Sequence, residues 1–113
     1  MTYLRGLTGE TVGSRGICMT VLVLPDGGRG KTHLHRGIES AAYVLDGVFE
    51  TYYGARLEER LEVRAGDLVY IPADLPHLVV NRSGVDATAL VAHTSADDQD
   101  GIVLLPELDS LIA

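Results

Sequence analysis

Apolar residues in this chain fall in short runs, each closed by glycine, proline, asparagine or aspartate, the punctuation of an all-β domain. Ile17 to Leu24 is apolar and β-branched and ends in the turn Pro25-Asp26-Gly27-Gly28. Lys31 to His35 is a short alternating strand. Glu39 to Leu45 runs into Asp46-Gly47, the best local hairpin signal, and Val48 to Tyr53 pairs back from it before Gly54. Leu57 to Val63 reaches Ala65-Gly66-Asp67, and Leu68 to Ile71 stops at Pro72. His77 to Asn81 precedes Arg82-Ser83-Gly84, and Ala87 to His93 is the last strong strand. Ile102 to Leu105 fits an edge strand or a segment packed across a barrel mouth. Only Arg56 to Arg64 is ambiguous, because Leu57, Leu61 and Val63 suit one helical turn or a strand; its neighbours favour strand. Short strands with close turns predict a β-sandwich or barrel, the jelly-roll group included.

The 113 residues fit one domain, expected to span 1–113. A hydrophobic share of 46% with 22% charged is ordinary for a globular protein and argues against disorder. The net charge of -7 repels polyanions, so a nucleic-acid partner is not expected. One cysteine, Cys18, excludes an internal disulfide and reads as a small buried apolar residue. The sequence starts without an apolar leader and has no membrane-spanning run, which predicts a cytoplasmic protein with no membrane partner.

Candidate chemistry rests on the four histidines. His33 and His35 flank Leu34, and residues two apart on a strand share a face, so both imidazoles can converge on one point. Glu39 follows after a short turn and stands at the start of the next strand. Two imidazoles and a carboxylate on one face suit Fe(II) and related ions. His77 follows Ile71-Pro72-Ala73-Asp74-Leu75-Pro76, whose two prolines make a rigid turn. Taken singly, each group has a plainer reading: a histidine pair on a β surface, a solvated glutamate, a hydrogen-bonded histidine. For His93 the plainer reading prevails, a packed or partly exposed strand residue. Asp97, Asp98 and Asp100 read as a solvated acidic loop. Tyr43, Tyr52, Tyr53 and Tyr70 read as strand packing.

The order of these residues resembles the cupin superfamily. Gly27, His33, His35, Glu39 and the stretch Tyr43 to Gly47 resemble its first motif, here 27–47. Gly66-Asp67, Ile71-Pro72, Asp74, Pro76-His77 and Asn81 resemble its second, here 66–81, leaving 95–113 as a C-terminal extension. The resemblance implies a cupin-type double-stranded β-helix (jelly-roll) barrel. It also implies one divalent metal ion (Fe, Mn, Ni, Zn, Co or Cu) held by His33, His35, Glu39 and His77. Two departures stand out. The spacing from His35 to Gly47 fits a variant in which the glutamate would fall at Ser40, so Glu39 as ligand requires a small bulge nearby. Asp74 replaces a glycine, and aspartate tolerates a left-handed turn. Asn81 is expected to make a structural hydrogen bond.

The implied function is a metal-dependent enzyme acting on a small oxygen-bearing molecule chelated at the ion. A dioxygenase comes first; an isomerase or lyase, and a non-catalytic binding module, are the alternatives. A homodimer is also implied, with the N-terminal segment and Ile102 to Leu105 as candidate edges.

Overall fold

A computed structural model describing residues 1–113 shows ten strands in two antiparallel five-stranded sheets, folded as the cupin-type barrel the motifs imply. One sheet has the order β1 (Thr2–Leu7), β2 (Cys18–Leu24), β9 (Ala87–His93), β4 (Ser40–Asp46), β7 (Leu68–Ile71). The other has the order β10 (Ile102–Leu104), β3 (His33–His35), β8 (His77–Val80), β5 (Val48–Tyr53), β6 (Glu59–Arg64). A short helix, α1 (Gly9–Val12), follows β1, and a 3₁₀ helix (Pro106–Leu111) closes the chain. No helix is long and apolar enough to cross a membrane.

Side-chain parity places the core. In β2 and β9 alternate residues are buried without exception, so Leu22, Leu24, Ala87, Ala89 and Val91 face inward. They meet Val44, Phe49 and Val63 between the sheets. That cluster fills one end of the barrel. Followed along β9, the inward positions pass from Ala87, Ala89 and Val91 to His93; along β4 they pass from Val44 through Ala42 to Ser40. The interior thus changes from apolar to polar toward one mouth. A second cluster lies outside: Leu78 and Val80 of β8 are covered by Leu57 and by Leu108 of the 3₁₀ helix, with Leu105 and Ile112 alongside.

The turns behave as their residues dictate. Gly47 has φ +75°, and a Cβ there would lie 2.7 Å from Ala87 Cα, so both conformation and space require glycine after β4. Asp74 takes φ +66°, and its carboxylate accepts from Gly37 N at 2.9 Å while its own N–H donates to the His35 carbonyl. The residue that departs from the family pattern therefore ties the two motif turns together. Leu57 also has a left-handed backbone, φ +56°, with its side chain 3% exposed. Burial against Leu78 and Leu108 offsets that strain, and it delays β6 to Glu59, two residues after the expected start. Asn81 is fully buried: its amide donates to the Leu24 and Val85 carbonyls and its oxygen accepts from Ser83.

Candidate metal centre

The polar mouth is built by both sheets. β3 and β8 pair with His33 opposite His77, and β4 and β9 pair with Ser40 opposite His93. His33, His35 and His77 can each offer one ring nitrogen, and those three atoms lie within 4.8 Å of one another. Ring centroids are 5.0 Å apart for His33 and His35 and 4.4 Å for His33 and His77.

Backbone carbonyls fix two of the tautomers. Nδ1 of His33 lies 2.7 Å from the Lys31 carbonyl, and Nδ1 of His77 lies 2.8 Å from the Leu75 carbonyl. A carbonyl only accepts, so each Nδ1 carries the proton and each Nε2 keeps its lone pair for an ion. Nδ1 of His35 is buried with no hydrogen-bond partner. All three rings are held neutral. Burial, then repulsion from His33, pushes His77 down to about 3. Burial, then His33 and His93, pushes His35 down to about 4. Burial lowers His33 as well. Three neutral imidazoles converging in a buried site, one with unmet hydrogen-bonding capacity, are a donor set that fits a divalent metal ion.

Glu39 does not join them. It is exposed, and its carboxylate accepts from the Tyr70 hydroxyl at 2.6 Å. The reason is parity: β4 pairs regularly with β9 from Ser40 to Val44, and its only register shift comes at the far end, between Val44 and Asp46. No bulge turns Glu39 inward, so the expected ligand points away and Ser40 takes the inward position. Ser40 is no substitute carboxylate. Its Oγ lies 2.6 Å from Nδ1 of His93. His93 in turn lines the cavity, with its ring centroid 4.7 Å from that of His35. Burial lowers His93, opposed by the charge of Asp98.

Two plain readings of the sequence thus need correction. His93 belongs to the pocket; the signal was its even spacing from Ala87, Ala89 and Val91, an unbroken inward set. Asp98 is only 6% exposed, not solvated, and its Oδ1 has no partner. Cys18 is buried as expected, opposite His93.

The cavity holds about 80 Å³ and is mostly apolar, with Val63, Val69, Val79 and Ile71 among its walls. At about 10–15 Å³ per water-sized site, that is room for roughly six non-hydrogen atoms. Lys31 is the only formally charged side chain on its lining, and Tyr3 stands there too.

A family model described as "Cupin domain" matches residues 20–93. Among solved structures, an oxalate oxidase in complex with the substrate analogue glycolate aligns with a TM-score of 0.79 at 23% identity, covering 93% of this chain and 55% of that one. The TT1209 protein from Thermus thermophilus gives a TM-score of 0.71 at 26% identity, with 84% and 83% covered. A predicted oxalate decarboxylase from Thermotoga maritima gives 0.71 at 19% identity, with 82% and 78% covered. The chain spans about half the length of the oxalate oxidase chains it matches. A search of curated proteins gives no match.

Proposed function

The chain belongs to the cupin family, and from that premise we propose that it is a small metal-dependent enzyme acting on a small organic anion. The observation that carries this reading is the meeting of His33, His35 and His77 within 4.8 Å at a cavity whose only charged lining residue is Lys31. His33, His35 and His77 would hold the ion. When bound, it would polarise a chelating oxygen as a Lewis acid or, if redox-active, activate O₂.

The chain's own residues do the rest. The Lys31 and Leu75 carbonyls orient two of the imidazoles. Val63, Val69 and Ile71 exclude water and so strengthen every charge interaction inside. Lys31 attracts a carboxylate to the mouth. The space suits a two- to four-carbon acid, and the glycolate-bound oxalate oxidase among the similar structures makes glycolate a natural probe.

Oxygenation of the bound acid is the first reading. One observation favours a second, an isomerase or lyase: the Ser40–His93 pair supplies a group able to hold or move a proton at His93 Nδ1, beside the triad. The protein, loaded separately with Mn(II), Fe(II), Co(II) and Zn(II), is titrated with glycolate and then offered keto acids, enediols and catechols under an oxygen electrode. We expect glycolate to bind only the loaded protein, and Lys31→Ala to weaken it about fivefold, the size of one partly screened charge. Uptake of O₂ supports the oxygenase; turnover without uptake, lost in His93→Ala, supports the isomerase or lyase. Binding by glycolate without turnover of any compound would leave a ligand-binding module. Absence of glycolate binding in every metal form contradicts the anion site.

A further inference from the structure

The cavity holds a fourth imidazole whose hydrogen sits on the opposite nitrogen from those of His33 and His77. β4 and β9 place Ser40 directly across from His93, and the two are only 2% and 7% exposed. Ser40 Oγ lies 2.6 Å from His93 Nδ1, and this is the hydroxyl's one hydrogen bond. A hydroxyl can donate or accept there, and burial decides which it does. If Nδ1 donated, the Ser40 O–H would be sealed inside the barrel with no acceptor, at the full desolvation cost of that group. Ser40 therefore donates, Nδ1 accepts, and the neutral ring carries its hydrogen on Nε2. Nε2 has no partner within the chain, yet it is not among the sealed polar atoms left without one. It opens to the cavity that the ring lines.

The rings thus divide into two kinds. The Lys31 and Leu75 carbonyls keep Nε2 of His33 and His77 free of hydrogen, whereas a hydroxyl keeps hydrogen on Nε2 of His93. An N–H has no lone pair for an ion, and His93 stands outside the group whose nitrogens lie within 4.8 Å of one another. Its ring centroid is nonetheless 4.7 Å from that of His35. Beside an ion held by the triad, that N–H can meet only an acceptor. We propose that His93 Nε2–H donates a hydrogen bond to an anionic oxygen of the molecule bound at the ion, and that Ser40 is the positioning residue that sets this polarity. The inference rests on the anion-site reading above, whichever reaction follows. It makes His93 a specificity-determining residue. The surrounding wall is largely apolar, Ile71 and Val91 included. A ligand that turns a methyl group or an N–H toward Nε2 leaves the donor unpaired and is rejected more strongly than its size alone would dictate. A carboxylate satisfies both partners, with one oxygen on the ion and the other accepting a charge-assisted bond from His93.

The test joins long-range nitrogen–proton correlation NMR of the imidazoles, at neutral pH, to calorimetric titration with glycolate. Wild type, Ser40→Ala, Ser40→Thr and His93→Leu are compared, metal-free and Zn(II)-loaded. The imidazole pattern missing from His93→Leu identifies the ring. In wild type it is expected to show hydrogen on Nε2 and an accepting Nδ1, with or without zinc, the reverse of His33 and His77. This reading needs no variant beyond the one that assigns it. Zinc stoichiometry should be the same in all four proteins. His93→Leu should weaken glycolate about thirtyfold, the loss of one hydrogen bond to a charged group. Ser40→Ala should weaken it about fivefold, because the ring spends less time in the donating pose, and should move the Nδ1 resonance to that of an unbonded nitrogen. Ser40→Thr, which keeps the hydroxyl, should restore both; a purely structural role for Ser40 would leave the resonance where it was. Hydrogen on Nδ1 of His93 in wild type, zinc bound through His93, or an undiminished affinity in His93→Leu overturns the proposal while leaving the anion site standing. A wild type that binds zinc but no glycolate removes the anion site, and this inference with it.

Discussion

Acid should destabilise the metal-free protein well above the range in which carboxylates titrate. His35 is held at about 4 and His77 at about 3 in the folded chain, against about 6.5 for an unfolded histidine. Between those values the unfolded state binds the protons and the folded state does not, so stability rises with pH across that window. The sign is therefore fixed: full stability above about pH 6.5, progressive loss below it. At about pH 5 the solution lies roughly 1.5 units beneath the unfolded value while both folded rings stay neutral, which costs about 2 kcal/mol apiece. The pair totals about 4 kcal/mol, a ceiling because repulsion from the same neighbouring rings contributes to both shifts. His33 and His93 act in the same direction. Since whole domains are stable by only about 5–15 kcal/mol, the loss is large. Asp109, whose carboxyl is held low by its bond from Thr32, affects stability only below about pH 4 and does not obscure the window. Urea unfolding in chelator between about pH 7 and about pH 5 measures the slope. His77→Gln should remove about half of it. A flat profile, or a slope unchanged in His77→Gln, refutes the account of a buried neutral cluster.

Other changes test single contacts. Asn81→Leu leaves the buried Leu24 carbonyl without its amide donor and removes the part-buried bonds to the Val85 carbonyl and the Ser83 N–H, and should cost about 2 kcal/mol in urea unfolding. Gly47→Ala combines a left-handed backbone with a Cβ 2.7 Å from Ala87 Cα; a loss of about 2 kcal/mol or more is expected by the same assay, and an unchanged midpoint would contradict the turn geometry. Glu39→Gln and Tyr70→Phe should leave metal stoichiometry intact, checked by elemental analysis after dialysis, because the Glu39 carboxylate faces outward onto Tyr70.

What was legible in the sequence divides along physical lines. Val48–Tyr53, Leu68–Ile71 and Ala87–His93 carry their own boundaries, because turn residues or prolines fix both ends. The convergence of His33, His35 and His77 was legible from strand parity and the motif spacing. Glu39 was not, because one residue of slip between Glu39 and Ser40 moves a side chain to the opposite face, and local sequence does not encode that choice. His93 carried a parity signal, its even spacing from Ala87, Ala89 and Val91, but which face of β9 turns inward is settled only by its long-range pairing with β2 and β4. Leu57 misled because burial overrode local backbone preference.

At the metal centre the deciding quantity is the number of nitrogen donors. X-ray absorption at the metal edge of the Co(II)- or Zn(II)-loaded protein, with multiple-scattering analysis, counts imidazoles directly. Histidine scattering from three rings is predicted in wild type, unchanged in Glu39→Gln, with loss of tight stoichiometric binding in His77→Ala. A shell in which Glu39 supplies an oxygen, or one that survives His77→Ala undiminished, would contradict the three-imidazole site.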